Sequence, residues 1–141
     1  PELSEDVGNG AAIAPRMARM SADMRQLAHT PRRIVILDAA GTPIAASDHE
    51  RRFFEGVWVH KHKGSYYLSY STGDTHLIVY ATAKHPEGPF IYGGIISYPV
   101  HGWTHHHSIV KVCGQWLFYY HSSQLSHETH LRNVRQPVLL K

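Results

Sequence analysis

The sequence predicts an all-β fold built from propeller blades, and three observations support this prediction. From residue 57 onward, short apolar and aromatic runs follow one another closely, and each ends at a turn that contains Gly or Pro. One of these runs recurs about 50 residues further along the chain, a repeat length typical of a four-stranded propeller blade. With 141 residues, 43% of them hydrophobic and 18% charged, the chain is long enough to bury one core, which excludes a disordered chain.

Residues 1–54 carry mixed signals, and we assign them to the remnant of a preceding blade plus a linker. Three methionines and several alanines between Ala11 and Leu27 favour a helix, but Pro15 argues against a long one. Residues 34–37 are predicted to form a short strand, which a turn follows.

Residues 55–103 are predicted to form one complete blade. Four short runs alternate with turns rich in Gly and Pro, a pattern typical of antiparallel strands joined by tight connections. The predicted strands are 57–62, 65–72, 77–84 and 90–97.

Residues 104–141 are predicted to form a second blade because they repeat the first. The segment 61–70 aligns with 111–120, and Thr75-His76-Leu77 matches Thr129-His130-Leu131. A blade cannot bury both of its faces alone, and about two and a half blades do not close a ring. The exposed terminal blades therefore predict a homo-oligomer, most simply a dimer.

The composition excludes several classes of function. The 14 basic residues, against 11 acidic ones, are scattered and do not alternate with aromatic residues, so no nucleic-acid partner is expected. No apolar run approaches the roughly 18 residues of a membrane span, and a single cysteine excludes an internal disulfide. Because residues 1–6 are polar and acidic, unlike a signal peptide, we expect a cytoplasmic location rather than secretion.

Glu55 is the candidate catalytic residue. It lies between Phe54 and Gly56 in a run of aromatic residues, where the first strand of the complete blade begins. Apolar neighbours favour the protonated form of a carboxyl group, which a general acid working near neutral pH requires. The alternative is a structural glutamate at a strand entry, solvated or paired with Arg51 or Arg52.

Three consecutive histidines, His105 to His107, open the second blade at nearly the position that Glu55 has in the first. In an extended segment His105 and His107 share one face, and His106 points the other way. Imidazoles can bind metal, act as acid or base, or contact sugar hydroxyls, whereas the alternative is packed or exposed loop histidines. We expect His106 to serve the site and its two neighbours to serve the scaffold.

Five further residues are candidates for a functional or a structural role. Trp103 is either a face for sugar stacking or a core residue, and Arg132 is either functional or an edge-strand charge that blocks aggregation. Cys113 is expected to be a small buried hydrophobe. His60 and His62 share one strand face, which we expect to be solvated.

Several motifs resemble segments of glycoside hydrolase family 43. Residues 55–58 and 64–71 are similar to the family's E-G-P-W … G-x-Y-Y-L-x-Y-S, and residues 81–90 are similar to its A-x-S … P-x-G-P-F. Residues 106–121 are similar to G-H-x-S-I-V … G-x-W-Y-L-F-Y-H, and residues 20–24 resemble L-S-x-D-M. The motifs keep the family's order over about residues 16–140.

The resemblance implies a partial five-bladed β-propeller that hydrolyses arabinose- or xylose-containing plant polysaccharides or oligosaccharides with inversion. Glu55 matches the family's general acid. His106 matches its central histidine, which often lies beside a channel calcium ion, so His106 is also the predicted metal ligand. Arg132 matches an arginine that contacts the sugar, and Trp103, His106 and Arg132 form the predicted substrate-binding set.

Two carboxylates of the family have no counterpart in this sequence. They belong to the D-P-x motif of the general base and to the I-D motif of the aspartate that tunes the acid, and Asp6, Asp23 and Asp38 do not replace them by context. A xylosidase or arabinofuranosidase and a non-catalytic carbohydrate-binding remnant therefore both stay open. A histidine-based metal-binding protein is disfavoured because no Asp, Glu or Cys lies close to the three histidines.

Overall fold

The structure is a computed structural model that describes residues 10–102 and 105–124 and the backbone of 136–140. Every element over these residues is a β-strand, as the all-β prediction requires. Within the same residues, no helix has the length and hydropathy needed to cross a membrane. The strands are β1 Arg16–Met17, β2 Arg32–Arg33, β3 Ile36–Leu37, β4 Glu55–His62, β5 Ser65–Ser71, β6 Ile78–Ala83, β7 Phe90–Ser97, β8 His107–Val112, β9 Gln115–Ser122 and β10 Gln136–Leu140.

The predicted complete blade is present as four consecutive antiparallel strands, β4 to β7. Each strand lies within two residues of its predicted bounds. The short strand β3 adds a fifth, parallel member at the outer edge beside β7, so the sheet order is β3-β7-β6-β5-β4. The domain boundaries at residues 54 and 103 stay predictions.

Residues before Glu55 cover one face of this five-stranded sheet. Ile34, Ile36 and Ile44 pack against side chains of β5 and β6 in a continuous apolar cluster. Burial of apolar surface is the main stabilising term of such a cluster. The fully buried cluster members from the sheet itself are Leu68, Tyr70, Val79, Ala81 and Phe90.

The segment from 11 to 27 is not helical. Ser21 and Asp23 hydrogen-bond to each other, and Asp23 also accepts the backbone N–H of Arg25. Such local side-chain bonds offer the backbone an alternative to helical pairing. Met20 and Met24 are exposed, so the methionines that favoured a helix are not part of a buried helical face.

A second sheet has the strand order β10-β9-β8 and is antiparallel. Its β8–β9 hairpin turns at Cys113 and Gly114, with φ angles of 48° and 81°; the β4–β5 hairpin turns at Lys63 and Gly64, with 44° and 79°. Two consecutive positive φ angles are the conformation of the tightest hairpin turns. Cys113 is therefore exposed at a turn, and the prediction that it is buried was wrong.

The second sheet packs against the face of the first that the early residues leave free. Trp58 Nε1 on β4 donates to the carbonyl oxygen of Ile109 on β8 at 2.9 Å. His60 and His62 lie with their rings 5.2 and 5.3 Å from that of Trp116 on β9. The predicted solvated face was wrong because the neighbouring sheet covers it.

Candidate active site

Glu55 and His106 come together from different sheets. Glu55 is the first residue of β4, and His106 immediately precedes β8. His106 Nε2 lies 3.3 Å from Glu55 Oε1, and the two side chains are 47% and 35% exposed. The structure thus places two predicted site residues in contact with each other, and both side chains are partly open to solvent.

An irregularity at the start of β4 determines how Glu55 is presented. The pairing register between β4 and β5 shifts between Glu55 and Trp58. Gly56 lies at this shift with a φ of 66°, a conformation that Gly adopts without strain. A Cβ atom at Gly56 would lie 3.0 Å from Cδ2 of His106, so residue 56 must lack a side chain for the imidazole to approach.

His105 and His107 are buried, and the predicted alternation of the three histidines is present. His105 is fully buried, and neither of its ring nitrogens has a hydrogen-bond partner in the described part of the chain. His107 is 9% exposed, and its Nε2 lies 2.6 Å from Ser69 Oγ on β5. Burial lowers the pKa of each imidazole to about 4, so both rings are neutral at pH 7.

His121, near the end of β9, is a site residue that no sequence pattern singled out. The backbone N–H of His106 donates to His121 Nε2 at 3.4 Å, and the two rings lie 5.8 Å apart. This contact holds the backbone that presents His106. The available signal was its place at the end of the aromatic run that resembles a family motif.

Arg51 and Arg52, the alternative partners of Glu55, make ion pairs with aspartates. Arg51 Nε donates to Asp48 Oδ2 at 2.7 Å. Arg52 is buried, and its Nη2 lies 3.5 Å from Asp74 Oδ2. The first pair lies within the loop before β4, and the second links this loop to the β5–β6 turn.

Trp103 and Arg132 lie outside the described residues, and their assignment to substrate binding stays a prediction. Among the residues that the structure describes, no three His, Cys, Asp or Glu side chains gather as a metal site. The assignment of His106 as a metal ligand likewise stays a prediction.

No protein-family model matches the chain. A curated xylosidase/arabinosidase from Bacteroides ovatus is 52% identical over 129 residues, which are 91% of this chain and 40% of that protein. The xylosidase/arabinosidase 43A from Humicola insolens is 54% identical over 134 residues, covering 93% of this chain and 41% of that protein. The chain thus spans about two fifths of the length of the curated relatives it matches.

Solved structures give the same result. The GH43_1 enzyme from Xanthomonas citri in complex with xylotriose superposes with a TM-score of 0.92 at 52% identity, over 96% of this chain and 40% of that one. A family 43 beta-xylosidase/alpha-arabinofuranosidase from a compost metagenome, in complex with xylotriose and calcium-free, gives a TM-score of 0.89 at 52% identity, over 98% of this chain and 41% of that one. The neighbours are five-bladed propeller enzymes, which confirms the partial-propeller prediction. Sequence identity, superposition and shared motifs agree that the chain is similar, over nearly its whole length, to part of glycoside hydrolase family 43 enzymes.

Proposed function

We propose that this chain carries the general acid of an inverting glycosidase that acts on xylose- or arabinose-containing oligosaccharides or polysaccharides. The observation that carries the proposal is the partly exposed carboxyl group of Glu55, presented by an irregular strand start and 3.3 Å from His106 Nε2. Relatives of about 50% identity are named xylosidase/arabinosidase, and neighbouring structures hold xylose or xylotriose.

In this mechanism the carboxyl group of Glu55 gives its proton to the glycosidic oxygen as the bond to the anomeric carbon breaks. Water attacks the opposite face of the sugar ring, and a second carboxylate takes the proton of that water. His106 lies against the carboxylate that remains on Glu55 and fixes its orientation. Trp103 and Arg132 are proposed to contact the sugar.

The second carboxylate is proposed to come from outside this chain. Asp38 Oδ1 accepts the backbone N–H groups of Ala40 and Thr42, both at 2.9 Å, and so holds its own turn. Asp23 is engaged in the turn near Ser21, whose hydrogen bond is the main reason that the pKa of Asp23 is lowered. These contacts support a structural role for both aspartates, and Asp6 lies outside the described residues.

A second copy of the chain is one proposed source of the missing carboxylate, and a homo-oligomer, most simply a dimer, would bring an acidic residue other than Asp23 and Asp38 to Glu55. The exposed apolar side chains of Val57 and Val59 on β4 and of Val112 and Tyr119 on the second sheet support association. Light scattering over a dilution series measures this directly. A well-behaved monomer of 16.0 kDa at micromolar concentration contradicts the homo-oligomer.

Hydrolysis assays with aryl β-xylosides and aryl α-arabinofuranosides test the catalytic proposal. Turnover with inversion, abolished by loss of the Glu55 carboxyl group, supports it. The second candidate function is a non-catalytic carbohydrate-binding remnant, which the local engagement of Asp23 and Asp38 favours. Binding of xylotriose without turnover supports that function instead.

Calcium beside His106 stays a proposal with a poor structural fit. Calcium prefers six to eight oxygen ligands. The described surroundings of His106 offer imidazole nitrogens and one carboxylate, and no set of three potential ligand side chains. A calcium titration of the EDTA-treated protein measures whether the ion binds.

A further inference from the structure

The contact between Glu55 and His106 depends on how two sheets dock. Glu55 belongs to β4 of the five-stranded sheet, whereas His106 lies at the start of β8 in the second sheet. Neither residue is fixed relative to the other by its own sheet. Whatever holds the sheets in register therefore also sets the distance between these two side chains.

The nearest polar link between the sheets lies one residue from His106. His107 Nε2 and Ser69 Oγ are 2.6 Å apart, and both residues are buried. Consecutive Cα atoms are held about 3.8 Å apart by the backbone. A displacement of the His107 backbone is therefore transmitted to His106. The other described link, from Trp58 to Ile109, lies further along β8.

The direction of this hydrogen bond follows from its surroundings. Ser69 Oγ also lies 3.5 Å from the carbonyl oxygen of Trp58, which can only accept. With the hydroxyl proton directed there, Ser69 Oγ accepts from an N–H at His107 Nε2. His107 Nδ1 is buried without a hydrogen-bond partner among the described residues, and an unpaired acceptor costs less than an unpaired N–H.

We propose that the hydrogen bond from His107 to Ser69 is the positioning contact that holds His106 against Glu55 across the two sheets. His107 and Ser69 are positioning residues, since they act through His106 and stay buried away from the substrate. The contact between His107 and Ser69 is a feature of the structure, and its role in catalysis rests on the proposed function.

Two serines on the same face of β5 provide a matched test. Ser69→Ala removes the accepting hydroxyl and leaves the volume almost unchanged. Ser71→Ala removes an equally buried hydroxyl, two residues along, that has no hydrogen-bond partner in the described part of the chain. The readouts are NMR signals of the Glu55 carboxylate, the His106 ring and the His107 ring N–H.

Wild-type protein is expected to show a His107 ring N–H that exchanges slowly with solvent. Ser69→Ala should abolish this slow exchange and shift the Glu55 and His106 signals. Ser71 pairs with Glu55 across β4 and β5, so Ser71→Ala is the control for the His106 and His107 signals, which it should leave unchanged. A folded Ser69→Ala protein with unchanged Glu55 and His106 signals overturns the proposal. Equal shifts of the His106 signal in the two variants also overturn it.

A rescue pair keeps the test informative if Ser69→Ala does not fold. His107→Gln retains a side-chain N–H that can donate to Ser69, whereas His107→Leu does not. The Glu55 and His106 signals should stay closer to wild type in His107→Gln, and equal disturbance in both variants contradicts the positioning role. Where the chain turns over substrate, Ser69→Ala should lower kcat about tenfold or more, because the reacting geometry is altered. Absence of turnover in the wild type counts against the proposed function alone, since the NMR comparison does not require it.

Discussion

The hairpins β4–β5 and β8–β9 share a sequence pattern and a turn conformation but differ in burial. In β5, four consecutive residues from Leu68 to Ser71 are buried. In β9 only Ser122 is buried, although the aromatic pattern of its sequence is similar. The first hairpin is covered on one face by residues before Glu55 and on the other by the second sheet. Local sequence thus determines the hairpin, whereas neighbouring elements determine which of its residues form a core.

The largest expected effect is a difference in the free energy of unfolding between substitutions in the two hairpins. Leu68→Ala empties a fully buried position and should lower the free energy of unfolding by about 2–5 kcal/mol. Tyr119→Ala, at a side chain that is 37% exposed, should cost about 1 kcal/mol or less. Urea unfolding monitored by circular dichroism measures both, and equal losses contradict the difference in burial.

The next effect concerns Glu55, the residue that begins the first hairpin. Glu55→Gln should leave the fold intact and lower aryl-glycoside turnover at least about a hundredfold, because the general acid is lost. Substrates with very good leaving groups need less protonation and should suffer less. Unchanged turnover with a poor leaving group rejects Glu55 as the acid.

Acid pH should lower the stability of the protein through two buried histidines. His105 and His107 have folded-state pKa values lowered by burial to about 4 from 6.5, so the unfolded chain binds protons that the folded chain does not. Their contribution to stability is complete above about pH 6.5 and is lost as the pH falls towards 4. His105→Phe should flatten this part of the curve. Denaturant unfolding at a series of pH values measures the slope, and an unchanged slope in His105→Phe refutes the assignment.

The alternation of the histidines predicts a separation of binding from stability. His106→Ala should weaken xylotriose binding about tenfold, the scale of one lost hydrogen bond, with little change in Tm. His105→Ala should lower Tm and affect binding less. Calorimetric titration and thermal unfolding distinguish them. A larger binding loss in His105→Ala means that the register is wrong by one residue.

The smallest effect tests what the two hairpins share. Lys63 and Cys113 both adopt a positive φ, which Asn tolerates better than most side chains. Lys63→Asn and Cys113→Asn should each stabilise the protein by up to about 1 kcal/mol and by similar amounts. Opposite signs in the two unfolding measurements would show that the turns are not equivalent.

Local patterns were sufficient for the blade but not for its surroundings. The turns at Gly64 and Gly114 follow from short-range chemistry, and so do the strands between them. The parallel pairing of β3 with β7 joins residues more than 50 positions apart, a contact that no local pattern encodes. The absence of a helix around Met20 reflects the local bonds of Asp23, which outweigh the propensity of methionine and alanine.

The candidate site was likewise predictable only where local patterns determine it. Alternation indicated which histidines share a face, and the motif indicated Glu55. Neither could show that His60 packs beside Trp116 or that His107 binds Ser69, because both contacts depend on the docking of one sheet on another. His121 had no signal beyond its place in that motif, since its role depends on the backbone N–H of His106, which lies 15 residues earlier in the chain.

The fluorescence of Trp58 depends on the contact between the two sheets. Its N–H is bonded to the carbonyl oxygen of Ile109, so its emission reports the polarity of the interface between the sheets. Separation of the sheets breaks that bond and admits water to the indole, while the ladders within each sheet stay paired. A red shift of fluorescence that is absent in Trp58→Phe, at denaturant concentrations below those that abolish the β-sheet signal, would therefore reveal an intermediate in which both sheets persist but Glu55 and His106 are apart.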